Sequence, residues 1–355
     1  MRKLWVLLLI VISTAFFACS KSSSSSSSTS SSPQASAPAS KTYEIVLVVK
    51  LEGVAWFDST RVGITRFNAE HPDVNAYQIG ASTADPAAQV ALVNDLIAKG
   101  VDAILVIPND PASLVPAFRN ARAQGIKILT HEGATQSDAD YDIEAFDNTA
   151  YGAHMMDVMA SWMGGKGVWQ PFVGYLTSPS HNEWVDGEIA QAKAKYPGLS
   201  TAQDRIEEHE DQQMAYQRAM ELLQANPNVK AMMGSAMSTV PGVARAITER
   251  GLIGKVGAFG TCLPSVAGDY LESGAAISFH FWVPADAAYA TATAAYKLLK
   301  GETVGTGTNL GVKGYENVTM KNNANGVPVL YGQAWVDVNK DNLGEWKNPD
   351  GSYKL

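Results

Sequence analysis

Two cysteines in 355 residues, Cys19 and Cys262, are too few for a disulfide scaffold. Basic residues are also scarce: 27 Lys and Arg stand against 35 Asp and Glu, a net charge of −8. No basic stripe interrupts that balance, so a partner that presents a phosphate backbone is excluded and no nucleic acid is expected. Apolar runs are short, the longest candidate, Leu4 to Ala18, falling below the length of a comfortable membrane span. No Gly-x-Gly-x-x-Gly follows the first apolar run, where the chain reads Lys50-Leu51-Glu52-Gly53-Val54-Ala55-Trp56-Phe57, so a dinucleotide lacks its pyrophosphate cradle. A Walker motif, a Gly-x-Ser-x-Gly elbow and a His-Glu-x-x-His pair are missing too. His71, His131, His154, His181, His209 and His280 are scattered without ligand spacing, so neither a metal site nor a cofactor is expected. Glu132, Asp147 and Glu183 are the carboxylates available for acid–base work, but no spacing pairs them, and no enzymatic activity is expected.

What is present begins with a leader. Arg2 and Lys3 precede the apolar stretch, and Phe16-Phe17-Ala18-Cys19 resembles a lipobox, in which a small residue precedes the cysteine that is acylated. Residues 1–18 are therefore expected to be a signal peptide, with Cys19 the lipidation site. Residues 19–41 hold serines from Ser22 to Ser28, Ser30 to Ser32 and an Ala/Ser/Pro-rich continuation, the composition of a tether. Cys262 is left without an intramolecular partner and is read as a small buried hydrophobe.

With 46% hydrophobic and 17% charged residues the remainder suffices for two folded lobes. Ile45–Val49, Ala103–Ile107 and Ile126–Thr130 are continuous and β-branched-rich, as strands covered on both faces require. Ala87–Lys99 and Pro111–Ala123 read as crossover helices, the first opened by Asp85-Pro86 and closed by Gly100. The alternation restarts after Asp147. Helices are expected at Tyr151–Met163, Asn182–Lys195, Met214–Gln224, Pro241–Arg250 and Asp286–Lys300, and strands at Phe172–Thr177, Lys230–Gly234, Val256–Phe259 and Ala275–Phe281. Val327–Leu330 and Ala334–Val338 are further strand candidates in a Gly-rich tail. The fold class is α/β, two doubly wound parallel-sheet lobes.

In such sheets ligands bind past the carboxyl ends of the strands. Lys50 follows the first strand, with Trp56 and Phe57 at the next helix start. Asn109 and Asp110 follow the third strand and Glu132 the fourth. In the second half Ser178 to Trp184, Ser235-Ala236-Met237-Ser238 and Gly260-Thr261-Cys262 stand at the same edge. Rings that cover C–H faces, with carboxylate, amide and ammonium groups for hydroxyls, are what a neutral sugar requires.

These residues resemble the type I periplasmic sugar-binding proteins of ABC transporters, the ribose and rhamnose group. The likeness rests on "IVLVVKLEGVAWFD", on "ADPAAQVALVNDLIAKGVDAILVIPNDPASLVPAFRNARAQGIKILT" and on "AFDNTAYG", and runs from about residue 44 to 340. It implies two lobes joined by a hinge, residues 43–146 plus 282–318 forming one and 147–281 plus 319–355 the other. It also implies a protein outside the cytoplasmic membrane, in the periplasm or at the cell surface, that binds a small sugar or polyol and delivers it to a membrane permease; with no long heptad or exposed apolar repeat, a monomer is expected. The autoinducer-2 receptor branch is especially similar: its Lys-Leu-x-Gly-Val-x-x-Phe-Phe opening matches Lys50 to Trp56 and Phe57, and its Asn-Gln-Trp matches Asn182-Glu183-Trp184. The strand ends, the ribose-type likeness and that of this branch together point to ligand contacts from Lys50, Trp56, Phe57, Asn109, Asp110, Glu132, His181, Asn182, Trp184, Asp211, Met237 and Trp282. Ser180-His181 stands where the branch has an Asp-Gln pair, and its later aspartate falls near Val283. With those acids lost, a different small sugar is favoured over the autoinducer. A sugar-sensing module with a signalling partner is the other role this fold serves.

Overall fold

The computed structural model describes residues 41–355; the expected signal peptide, Cys19 and most of the tether lie outside the described residues. β1 (Tyr43–Val49) has its last five residues buried, as expected of a strand with helices on both faces. It is followed by α1 (Ala55–Glu70), β2 (Val74–Gly80), α2 (Pro86–Lys99), β3 (Ala103–Val106), α3 (Pro111–Ala123), β4 (Lys127–His131) and β5 (Tyr141–Glu144). Asp85 caps α2 by accepting from the Ala87 N–H at 2.8 Å, and Gly100 closes it in the left-handed region at φ 75°.

The second series contains α4 (Asn148–Met163), β6 (Lys166–Val173), α5 (Pro179–Lys195), β7 (Gly198–Thr201), β8 (Ile206–Glu207), α6 (Gln212–Ala225), β9 (Val229–Gly234), α7 (Thr239–Glu249), β10 (Gly257–Thr261), α8 (Pro264–Ser273) and β11 (Ala276–Phe281). α9 (Pro284–Leu299) then packs back on α1 and β4. β12 (Thr319–Asn322), β13 (Pro328–Tyr331) and β14 (Val336–Asn339) complete the chain's strands.

Two seven-stranded sheets result, the first ordered β12-β13-β5-β4-β3-β1-β2 and the second carrying β14-β11-β10-β9-β6-β7, with β8 beside β6. The chain passes between them three times, at residues 145–147, 282–283 and 332–335. Each passage carries an aromatic residue: Phe146 lies 5.3 Å from Trp282 and 5.8 Å from Trp335 between ring centroids.

The lobe boundary expected at residue 319 is corrected. β12 and β13 belong to the first sheet, where Leu330 pairs with Ile143 of β5, and only β14 joins the second. An apolar run of four residues announces a strand but not the sheet edge that it will cover. The strand expected at Phe172–Thr177 begins earlier, at Lys166, and ends at Val173. Gly165 and Gly167 disguise its start, and Pro171 sits within it. β5, with the sequence Tyr-Asp-Ile-Glu, carries no apolar signature because its buried Asp142 and Glu144 break the pattern.

Candidate functional site

Lys50 directly follows β1 and is buried, its Nζ 2.8 Å from Glu132 Oε2 and 3.7 Å from Glu210 Oε1. Glu132 follows β4 in the first lobe; Glu210 lies between β8 and α6 in the second. Glu132, His209 and Glu210 have φ values of 58°, 58° and 57°. A Cβ makes that region costly, on the order of 1–3 kcal/mol, so the surrounding structure must hold these residues there. Gly174 makes room for Glu210, because a Cβ there would stand 2.8 Å from Glu210 Oε1.

Around these charges the two lobes enclose a cavity of about 330 Å³, at the small end of ligand pockets. Trp56, Phe57, Trp184 and Trp282 wall it and are nearly inaccessible. Trp56 and Trp282 meet edge to face at 4.7 Å. The Trp184 indole N–H donates to Asn148 Oδ1 at 2.7 Å, and that of Trp282 to His131 Nε2 at 3.1 Å. Both polar edges are thus satisfied away from the cavity, and the rings offer it apolar surface. Gly152 lets α4 and α5 approach closely enough to seat Trp184: a Cβ there would lie 2.0 Å from the Trp184 carbonyl oxygen.

Burial alone would depress the Lys50 pKa, but the charges of Glu132 and Glu210 outweigh it and hold the pKa above its ordinary value. Burial raises that of Glu210, with Lys50 opposing and Glu132 reinforcing. Glu208 is raised to about 8 by burial and by the Glu210 charge, despite hydrogen bonds donated by Ser238 and Thr239. Burial, together with the Lys50 charge, pushes His181 well below its ordinary value. Its Nδ1 accepts from the Gly174 N–H at 3.2 Å, so the neutral ring carries its proton on Nε2, 4.0 Å from Glu210 Oε1. Glu210 Oε1 is buried with no hydrogen-bond partner. The arrangement thus offers one ammonium, one imidazole N–H and acceptor-only carboxylate oxygens between aromatic walls.

Of the residues expected from sequence, Lys50, Trp56, Phe57, Glu132, His181, Trp184, Asp211, Met237 and Trp282 line this cavity. Three do not line it and are held elsewhere. Asn109 Nδ2 donates to the Lys50 carbonyl oxygen at 3.2 Å while its N–H donates to Gln89 Oε1, so it secures the end of β1. Asp110 caps α3 through the Ala112 N–H. Asn182 Nδ2 donates to the Ser178, Tyr175 and Leu176 carbonyls, and its Oδ1 accepts from Arg205. Asp110 and Asn182 found backbone partners in their own turns, and Asn109 found one after the neighbouring strand. Asp211 does both things, accepting from the Met214 N–H as the cap of α6 while lining the cavity.

Glu210, Gln212, Ser235, Ser238 and Thr261 also line it. The strand-end rule pointed to Ser235, Ser238 and Thr261. Nothing pointed to Glu210, because β8 is a strand of two residues and leaves no apolar run to mark the turn after it.

The profile of the periplasmic binding protein domain matches residues 45–303. A xylitol-binding protein of Mycolicibacterium smegmatis is 35% identical over 116 residues, 32% of this chain and 33% of that one. A D-xylose-binding periplasmic protein of Haemophilus influenzae is 26% identical over 188 residues, 50% of this chain and 54% of that protein. The chain thus spans about a third to a half of these curated relatives. Among solved structures, LsrB from Clostridium saccharobutylicum in complex with AI-2 superposes with a TM-score of 0.79 at 18% identity, covering 86% of this chain and 100% of that one.

Proposed function

The chain belongs to the periplasmic binding protein family, and we propose that it captures one small polyhydroxylated solute, a sugar or sugar-like polyol, and delivers it to an ABC permease. The two-lobed fold is that of type I periplasmic binding proteins, a family of binding proteins rather than enzymes. The observation that carries the reading is the cavity itself: four aromatic side chains from both lobes and their crossing surround a Lys50–Glu132–Glu210 cluster. Rings cover the C–H faces of a pyranose or furanose, and the charged groups bond its hydroxyls strongly because water is excluded. A ligand bonded to both lobes favours the closed arrangement by its differential affinity. Acylation at Cys19, with the Ser-rich segment as a leash, keeps the protein beside the permease, and it acts as a monomer.

The relatives named for xylitol and D-xylose support a small polyol. A pocket of about 330 Å³ supports a monosaccharide-sized ligand rather than an oligosaccharide. An autoinducer-2 reading draws support from a different observation. Glu210 supplies the second lobe with a carboxylate that the Ser180-His181 replacement had seemed to remove. A thermal-shift panel of pentoses, hexoses, deoxyhexoses, sugar alcohols and the autoinducer-2 precursor, followed by calorimetry, tests both. A true ligand at about 100 times its Kd adds roughly 2.7 kcal/mol of stability. No response from protein stripped of ligand by unfolding and refolding overturns the sugar reading; a response confined to the autoinducer precursor replaces it with the second.

A further inference from the structure

We propose that the second lobe holds a divalent transition-metal site, of the zinc type, formed by His154, His280 and Asp337 at the root of the hinge. One candidate ligand atom from each lies within 4.8 Å of the others, and among the described residues this is the one such convergence of three. His154 Nε2 is 2.8 Å from Asp337 Oδ2, and His280 Nδ1 is 2.8 Å from Asp337 Oδ1. Neutral imidazoles and a carboxylate are the donor set that zinc accepts, at about 2.0–2.2 Å, with a fourth position left for water. Tetrahedral bonds of that length place ligand atoms roughly 3.4 Å apart, so a cation entering between the three groups opens the present hydrogen bonds slightly.

Two further contacts fit ligation. His280 Nε2 lies 2.9 Å from Ser278 Oγ, a hydroxyl that can accept from an Nε2–H once Nδ1, which now donates to Asp337, gives up its proton to bind a cation. Trp335 stacks on the His154 ring, with centroids 5.2 Å apart and planes 6° from parallel, which fixes the ring's orientation. His280 is fully buried, while Asp337 is 41% exposed in its side chain and leaves an approach from solvent.

The placement gives the site a role. His154 lies within the first two turns of α4, the helix after the first crossing; His280 is next to last in β11, before the second; Asp337 is second in β14, after the third. His280 and Asp337 are direct cross-strand neighbours. A single ion there ties the second-lobe roots of all three crossings, confining bending to residues 145–147, 282–283 and 332–335. The inference is independent of what the cleft binds.

The test is titration of the chelator-treated full chain with Zn²⁺ by calorimetry and with Co²⁺ by visible absorption. The expected result is one equivalent bound at micromolar Kd or tighter, the strong visible bands of four-coordinate Co²⁺, and at least ~100-fold weaker binding in Asp337→Asn and His154→Gln. Ser278→Ala, which leaves the ligands in place, weakens binding about 10-fold. His209→Gln, which alters an exposed histidine elsewhere, changes nothing. Absence of saturable binding, binding indifferent to Asp337→Asn, or loss in His209→Gln overturns the proposal. If the ligand variants fail to fold, the Co²⁺ spectrum of the unaltered chain and the Ser278→Ala titration still decide it.

Discussion

The two lobes build their sides of the cleft by different means. The first offers a finished wall: Lys50 leaves a buried strand, Trp56 and Phe57 open the next helix, and Glu132 already holds Lys50 at 2.8 Å. The second offers turns. His181, Glu210, Asp211, Gln212, Ser235 and Ser238 come from loops and helix starts, and Glu210 is held in the left-handed region with one oxygen unpartnered. In the first lobe the residues proposed to bind are also packed or paired within the lobe; in the second, a left-handed residue holds an unpartnered acceptor.

The sharpest break of that comparison is Lys50→Met, which leaves two facing carboxylates in a buried site without their cation. Removing one partner of a buried pair costs on the order of 3–5 kcal/mol, so a large fall in Tm is expected together with loss of ligand binding beyond ~100-fold by calorimetry. The double variant Lys50→Met, Glu132→Gln recovers much of the Tm and none of the affinity. Recovery of affinity would remove Lys50 from the ligand's reach.

Trp56→Ala follows. Its ring belongs to the hydrophobic core and to the cavity wall at once, so truncation costs about 3–5 kcal/mol of stability and weakens binding ~10-fold or more. Trp56→Phe separates the two effects by restoring most of the stability while leaving the ligand short of ring surface.

Glu210→Gln tests the other lobe. A hydrogen bond to a charged group is worth about 1.5–3 kcal/mol, which predicts ~10-fold to ~100-fold weaker binding. Stability should hold or rise, since a buried group whose pKa burial has raised becomes neutral. A fall in Tm comparable to that of Lys50→Met would mean that the lobes do not differ as described.

The same contrast governs how much was legible in the sequence. Lys50, Trp56, Phe57 and Glu132 stand at the ends of long periodic segments, and the strand-end rule reaches them directly. Asn109, Asp110 and Asn182 obey the same rule yet point elsewhere, because turn geometry gave them backbone partners that no pattern encodes. Glu210 was invisible for the opposite reason: β8 is too short to announce itself, and a non-glycine residue in a left-handed turn carries no sequence signal. The His154–His280–Asp337 convergence likewise depends on β14 returning beside β11, a pairing that spacing along the chain does not reveal.

The smallest expected effect reaches the same lobe through pH. Glu208, behind Glu210, titrates near 8 against an ordinary 4.5. Between those values the folded chain keeps a proton that the unfolded chain has released. Unfolding therefore releases it, and this group's contribution to stability falls as pH rises across that window. Below 4.5 both states are protonated, and above 8 both are ionised with the loss complete. Other buried groups titrate in the same range, so the informative quantity is the difference in Tm between Glu208→Gln and the unaltered chain. That difference should grow in favour of the variant from pH 5 to 8 and level off beyond. A flat difference would mean that Ser238, Thr239 and the Asp211 N–H, all donors to Glu208, keep it ionised, leaving two adjacent negative charges in the second lobe for the ligand to answer.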